Sequence, residues 1–196
     1  GADVQTKDEN NGETALDIAV KRGHRAAAEI FLDNGITGYN REECLQQCDE
    51  NRDRIDKLNE KMISAARSGD NQGVEMALDE GAEITSQDDG DTGLHLSAEY
   101  GHQSVVLTLL TRGLDPNIRG DRQMTALMCA AEEGHLPCVQ TLLEHGALTD
   151  LKDRSGDTAL MRAAKYNYPD IAAELLARQA DVNIVNNDKK NALQLA

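Results

Sequence analysis

The chain lacks tryptophan and is poor in aromatic residues of any kind, with four tyrosines and one phenylalanine among 196 residues. Its core must therefore be built from small aliphatic side chains, which favours closely packed helices. Cysteine is also scarce, and the four cysteines stand at irregular positions. Such spacing excludes a disulfide framework and is typical of a protein from a reducing compartment.

Positive charge is in short supply as well. Twenty Lys and Arg residues stand against 35 Asp and Glu residues, which gives a formal net charge of −15. A chain with this charge repels phosphate groups, so we expect neither nucleic-acid binding through a basic surface nor adsorption to an anionic membrane. No apolar run approaches the roughly 20 residues that span a bilayer. We expect an intracellular, cytoplasmic protein, with the nucleus as an alternative.

Motifs for catalysis and metal binding are missing from the sequence. It has no P-loop, no H-E-x-x-H, no G-x-S-x-G and no C-x-x-C. Cys44 and Cys48 lie four residues apart but have no His or Cys companion at a spacing that suits zinc. We therefore predict that the chain is not an enzyme and has no catalytic residues, no metal site and no cofactor.

What the sequence does contain is an internal repeat. The segment Thr92–Ala98 recurs at Thr125–Ala131 and at Thr158–Ala164, and a further copy begins at Asn191. Successive copies start 33 residues apart. An earlier copy begins at Thr14, and the second in chain order is an irregular one near residue 60. We number the repeats in this order, so that the third, fourth and fifth begin at residues 92, 125 and 158.

The residue chemistry of each repeat predicts two helices. A hydroxyl at the first position can accept the free N–H groups of a first helical turn, and it is supplied by Thr14, Thr92, Thr125 and Thr158. Glycine, which adopts a left-handed backbone at little cost, follows the first helix at Gly23, Gly69, Gly101 and Gly134. Asn167 takes that place in the fifth repeat. Since no repeat can bury its own apolar face, stability must come from stacking on neighbours.

A 33-residue period with this opening resembles the ankyrin repeat. The resemblance covers nearly the whole chain except residues 36–59, and it implies an all-α solenoid of stacked helix pairs with β-turn tips and a helical insertion. The family's proline after the capping Thr is absent throughout, and Gln179 stands where glycine is expected. We expect local strain at Gln179.

Three segments are expected along the chain. Residues 1–37 form one ankyrin-like repeat with the tail of a preceding one, residues 38–59 form a helical insertion or linker, and residues 60–196 form a second sub-array of about four repeats, truncated in the last. Residues 1–4 read as the end of an earlier repeat, and Ala196 stops inside a first helix. We therefore expect a fragment of a longer array.

Residues 38–59 contain the signals of a further helix. Asn40 followed by Glu43 forms a capping box and predicts a helix from Arg41 to about Ser68. An approximate heptad stripe runs along it, with polar Asn51 at one position and otherwise Cys44, Cys48, Ile55, Leu58, Met62 and Ala65. Two interpretations stay open: the helix packs back on the array, or it binds a partner as a coiled coil or in a groove, including a second copy through residues 41–68.

The resemblance also implies where a partner protein would bind, just before the capping Thr and at the end of the first helix. In the third repeat these positions are Asp88, Asp89, Asp91, Glu99 and Tyr100, and in the fourth they are Asp121, Arg122, Met124, Glu132 and Glu133. The fifth repeat supplies Arg154, Asp157, Lys165 and Tyr166.

These positions predict a negative concave surface on the third and fourth repeats. No Lys or Arg occurs from residue 69 to residue 110. Tyr100 and Met124 are the expected apolar anchors. A negative groove accelerates association with basic partners, so we expect a basic peptide or protein surface to bind here. The alternative is that the carboxylates only keep the array in solution.

Family resemblance further implies that Asn117 and Asn183 are possible hydroxylation targets, although Pro116 departs from the usual context of the first. Alternatively, both asparagines only brace their turns.

Three functions follow from the sequence. The leading hypothesis is a non-catalytic protein-interaction scaffold. The second is a targeting or regulatory segment of a larger multidomain enzyme whose catalytic domain lies outside these residues. The third is a structural spacer without a specific partner.

Overall fold

The computed structural model describes residues 13–34, 36 and 38–196. The expected tail of a preceding repeat, residues 1–4, lies outside this range. The chain divides into two compact units, residues 1–58 and 59–196, with the boundary inside one long helix.

Helices make up most of both units. The first unit contains α1 (Ala15–Lys21), α2 (Arg25–Asp33) and the beginning of α3 (Arg41–Ser68). After α3 the second unit continues with α4 (Asn71–Glu80), β1 (Gln87–Asp88), β2 (Asp91–Thr92), α5 (Gly93–Glu99), α6 (Gln103–Thr111), a 3₁₀ turn (Asp121–Gln123), α7 (Ala126–Glu133), α8 (Leu136–Glu144), α9 (Ala159–Lys165), α10 (Pro169–Ala177) and α11 (Ala192–Leu195). The strands form one antiparallel hairpin that pairs Gln87 with Thr92. The expected architecture of stacked helix pairs is confirmed.

Threonine begins the first helix of each regular repeat, as the sequence predicts. The Thr14 hydroxyl accepts from the backbone N–H of Asp17 at 3.2 Å. Thr125 and Thr158 make the equivalent bonds to residues 128 and 161, each at 3.4 Å. In the third repeat His95 Nδ1 accepts from the Thr92 backbone N–H at 3.2 Å, and the buried imidazole lies 3.2 Å from the Met124 carbonyl.

The recurring Gly-His pair has a packing reason. Gly101 has a φ of +76°, and a Cβ atom there would lie 2.6 Å from Nδ1 of His135 in the next repeat. His102 sits over Gly69 in the same way. Each of these two glycines therefore forms the left-handed turn of its own repeat and leaves the space that the histidine of the next repeat fills.

Gln179 occupies a left-handed position without being glycine. Its φ is +65°, while the matching Gly146 of the fourth repeat has +88°. A non-glycine residue in this region costs roughly 1–2 kcal/mol, so the expected local strain is present.

Small aliphatic side chains build the core of the second unit. Fully buried members from successive repeats include Leu94, Leu109, Leu127, Leu142, Ile171 and Leu175, with alanines such as Ala98 and Ala130 between them. The small residues allow the helices to approach closely, as the shortage of aromatic residues predicts.

The long helix α3 has the predicted bounds. The side chain of Asn40 caps it, since its Oδ1 accepts from the backbone N–H groups of Glu42 and Glu43 at 3.1 and 3.4 Å. The predicted stripe of α3 packs within the chain at Cys48, which is fully buried in the core of the first unit. Asn51 Nδ2 donates to the carbonyl of Val20 at 2.9 Å, which explains a polar residue within the stripe.

Candidate functional site

Half of the predicted contact residues line a single cleft in the second unit. The cleft has a volume of about 80 Å³, and its walls are Asp91, Glu99, Asp121, Arg122, Met124, Cys129, Glu132 and Glu133. Five carboxylates and one guanidinium therefore face the same small space. Cys129 is the one member that the sequence did not predict.

Backbone turns of the third and fourth repeats place these side chains. Asp91 lies in β2 and Glu99 ends α5, while Asp121 opens the 3₁₀ turn and Glu133 ends α7. Oδ1 of Asp91 accepts a hydrogen bond from the backbone N–H of Asp121 at 2.9 Å. This bond joins the tips of the two repeats at the mouth of the cleft.

Glu99 and Glu133 differ from the other three carboxylates of the cleft. Glu99 and Glu133 make no hydrogen bond or ion pair with any residue that the structure describes. Partial burial raises the pKa of Glu99, and the charges of Asp91 and Glu133 raise it further. A cation entering the cleft would favour the ionised carboxylate and relieve this repulsion.

Both carboxylate oxygens of Glu132, in contrast, accept hydrogen bonds. Its Oε2 accepts from Nη1 of Arg162 at 2.8 Å, and its Oε1 accepts from the hydroxyl of Tyr166 at 2.8 Å. Both donors belong to the fifth repeat, so this carboxylate joins the fourth repeat to the fifth.

Arg162 is the centre of a buried charge network. Its side chain is 7% exposed, and its Nη2 pairs with Asp153 and lies 3.7 Å from Oδ2 of Asp157. Asn186 Nδ2 in turn donates to Oδ1 of Asp157 at 2.7 Å. Burial lowers the pKa of Arg162, but the hydrogen bond with Asp153 and the nearby carboxylates outweigh that effect, so its pKa is raised.

Sequence reasoning missed this network, although the repeat contains a signal for it. Counted from the capping position, the residue equivalent to Arg162 is Ile18, Leu96, Cys129 or Leu195 in the other repeats. An arginine at a position that is otherwise apolar predicts a buried charge, and a buried charge needs partners.

Two of the predicted contact residues are buried. Met124 is 5% exposed and packs in the core, so it is not the exposed apolar anchor that we expected. Its burial follows from the tight turn before it, where the N–H of Gly120 donates to the Met124 carbonyl at 2.8 Å. Asp157 is 7% exposed and faces Arg162, which removes it from the accessible surface.

Arginines on both sides of the acidic stretch, residues 69–110, form ion pairs with its carboxylates. Arg67 pairs with Asp88, and Arg112 Nη1 lies 2.7 Å from Oδ1 of Asp79. Part of the negative charge predicted for this stretch is therefore neutralised within the chain. Glu99, which lies in the cleft, has no ion pair with any residue that the structure describes.

The other predicted contact residues lie on the surface around the cleft. Tyr100 is 50% exposed, and its ring stacks on His102 with 6.3 Å between centroids. Lys165 Nζ lies 5.4 Å from the centroid of the Tyr166 ring. Asp89 and Arg154 are exposed.

The two asparagines have different surroundings. Oδ1 of Asn117 accepts from the backbone N–H of Leu148 at 2.8 Å, and its Nδ2 donates to the carbonyl of Gly146 at 3.3 Å. Among the described residues, Asn183 bonds within its own loop alone, where its backbone N–H donates to Asp181 at 2.8 Å. Asn117 therefore links successive turns, whereas the bonds of Asn183 stay inside one loop.

Chemistry elsewhere in the described ranges is sparse. No group of three or more His, Cys, Asp or Glu side chains there could hold a metal ion. Burial raises the pKa of the Cys138 thiol to about 11, and it raises that of Cys129 as well, so both thiols stay protonated near neutral pH. In the part of the chain that the structure describes, every helix is too short or too polar to cross a bilayer.

The repeat matches a known protein family. The family profile described as ankyrin repeats (three copies) matches residues 62–153 and 112–188. The chain is 30% identical over 115 residues to the transient receptor potential cation channel subfamily A member 1 homolog of Caenorhabditis elegans, which covers 59% of this chain and 8% of that protein.

Two further relatives are enzymes by name. An L-asparaginase of Dirofilaria immitis is 29% identical over 152 residues, which covers 65% of this chain and 25% of the relative. The E3 ubiquitin-protein ligase XBAT32 of Arabidopsis thaliana is 38% identical over 72 residues, which covers 35% and 14%. The chain thus spans a quarter or less of the length of these relatives.

Proposed function

This chain belongs to the ankyrin repeat family, and we propose that it is a non-catalytic scaffold that binds a basic peptide or protein surface in the cleft of its third and fourth repeats. Ankyrin repeats are generally protein–protein interaction modules. The observation that supports the cleft as the binding site is the pair Glu99 and Glu133, two carboxylates without partners among the described residues.

The cleft suits a cation better than any other group. Asp91 adds further negative charge to its lining, and Glu99 is already partly withdrawn from water. A guanidinium can donate to two carboxylates at once, and such charge-assisted bonds are short and strong. Uncompensated negative charge also steers basic partners toward the cleft, an effect that salt screens.

The test compares two matched peptides. One is acetyl-Gly-Ser-Arg-Gly-Arg-Gly-Ser-amide, and the other carries citrulline, which has the same shape but no charge, in place of both arginines. We expect saturable binding of the arginine peptide that weakens with salt, and no binding of the citrulline peptide. Glu133→Gln should weaken the binding, whereas Glu144→Gln, which removes one exposed charge on α8, should not. Equal affinity for both peptides would contradict the proposal.

Two other functions make different predictions. A structural spacer predicts that changing Asp88, Asp89, Asp91, Glu132 and Glu133 to Lys alters no interaction. A targeting or regulatory segment of a larger multidomain enzyme is favoured by the L-asparaginase relative, of which the matched part covers 25%. The sequence of the full-length protein decides that case, since it either contains a catalytic domain or does not.

We further propose Asn183 and Asn117 as sites of hydroxylation. Mass spectrometry of the protein purified from its source would show the gain of one oxygen atom on the peptide that contains either residue. Unmodified peptides at both positions would argue for turn bracing alone.

A further inference from the structure

Arg162 stands at a position where the other repeats have Ile, Leu or Cys, and it is nearly fully buried there. Burying an ion network brings little stability, because the loss of hydration offsets the attraction between the charges, and well-packed apolar side chains often serve equally well. Stability alone therefore does not account for an arginine at this position. Its contact with Glu132 connects it to the cleft.

Glu132 has both of its oxygens occupied by the fifth repeat. The Arg162 guanidinium holds one at 2.8 Å, and the Tyr166 hydroxyl holds the other at 2.8 Å. Asp153 lies in the turn before α9, and its side chain is 1% exposed. It pairs with Arg162 and fixes the guanidinium. The orientation of Glu132 is thus determined from outside the cleft that it lines.

We propose that Arg162 and Tyr166 act as positioning residues for the cleft, holding both oxygens of Glu132 so that an incoming cation is received by Glu99 and Glu133. This inference rests on the proposed function. It assigns the specificity of the site to Arg162 and Tyr166, two residues of the neighbouring repeat that we call the clamp. It also separates Glu99 and Glu133, which bind the partner, from Glu132, whose charge is already neutralised. Asp121 has a cation of its own, since its Oδ2 lies 3.3 Å from Nε of Arg122.

Tyr168 offers a control for Tyr166. It lies two residues further along the fifth repeat and packs, partly buried, against the core. Among the described residues, the Tyr168 hydroxyl has no hydrogen-bond partner, whereas that of Tyr166 donates to Glu132. Changing either to Phe removes one oxygen atom and leaves the ring in place.

The binding test uses the arginine peptide and these variants. Tyr166→Phe frees one oxygen of Glu132, so we expect the peptide to bind roughly threefold more tightly. Tyr168→Phe should leave the affinity unchanged, while Glu99→Gln and Glu133→Gln should each weaken it about tenfold. Unchanged or weaker binding by Tyr166→Phe would overturn the clamp, since a tyrosine that touches the partner or only supports the fold cannot improve binding when its hydroxyl is lost.

A second readout does not depend on any partner. The hydrogen bond with Glu132 raises the pKa of the Tyr166 phenol. In an alkaline titration followed by ¹³C NMR of the tyrosine rings, Glu132→Gln should lower the pKa of Tyr166. If the pKa of Tyr166 is the same in Glu132→Gln as in the wild type, the proposed role of Tyr166 is overturned. Loss of discrimination between the arginine and citrulline peptides would instead reject the proposed function.

Discussion

The carboxylate of Asp91 accepts a hydrogen bond from the backbone N–H of Asp121, with 2.9 Å between Oδ1 and N. An acidic side chain of the third repeat is thereby fixed against the tip of the fourth, and the cleft opens beside this bond. The close approach depends on Gly120, where a Cβ atom would lie 2.1 Å from Oδ1 of Asp91 and 2.9 Å from the ring of the buried His95.

Gly120→Ala should therefore disturb both the fold and the cleft. Crowding of this kind typically costs about 1–3 kcal/mol, and the displaced Asp91 should weaken the binding of the arginine peptide. Chemical denaturation and peptide titration measure the two effects. Gly113→Ala is the control: its Cβ meets no atom within 4 Å, but its φ is +93°. It should lower stability by about 1 kcal/mol through backbone strain and leave the affinity as it is.

Arg162→Met should destabilise the second unit strongly. Asp153 and Asp157 would lose their cation while they stay buried, and removal of one partner from a buried ion pair costs roughly 3–5 kcal/mol. Arg178→Met is the matched control, because the Arg178 side chain is 40% exposed and pairs with Glu174, four residues earlier. Its effect should stay within about 0.5 kcal/mol. Equal losses in denaturant unfolding would mean that the Arg162 network adds no more than a surface pair.

Glu99→Gln should stabilise the fold at neutral pH while it weakens peptide binding. The pKa of Glu99 is raised in the folded protein, so its ionisation opposes folding. The stability linked to this group is fully present below the ordinary Glu pKa of about 4.3 and is lost as the pH rises through the raised value. The difference between variant and wild type should therefore be seen at pH 7 and should vanish toward pH 4. A variant that is less stable at pH 7 would contradict this account.

Asn117→Ala should cost more stability than Asn183→Ala. Asn117 makes two hydrogen bonds to the turn of the next repeat, and their loss corresponds to about 1–2 kcal/mol. Asn183 bonds to Asp181 in its own loop, so its replacement should change the free energy of unfolding by no more than about 0.5 kcal/mol. Thermal and denaturant unfolding of the two variants make the comparison directly.

Local chemistry made much of the fold predictable. The Thr caps, the left-handed residue at Asn167 and the start of α3 after Asn40 depend on groups within a few residues of each other, so a single sequence contains them. The repeat then supplies the stacking, because each copy has the same apolar positions.

The cleft was predictable only in part. Its acidic residues occupy periodic positions, but the partners of these residues come from distant parts of the chain, as when Arg162 reaches Glu132 across 30 residues and Arg67 reaches Asp88 across 21. The sequence predicts Met124 at the surface because its position precedes a capping Thr. The turn before it, with Arg122 and Gln123 at φ +50° and +61°, instead directs the residue into the core.

The most direct test of the cleft is a chemical-shift map. The ¹⁵N-labelled chain is titrated with the arginine peptide and, separately, with the citrulline peptide. The account predicts that the largest amide shifts occur at and next to Asp91, Glu99, Asp121 and Glu133, and only with the arginine peptide. Shifts concentrated on α3, or equal shifts with both peptides, would contradict the acidic cleft as the binding site.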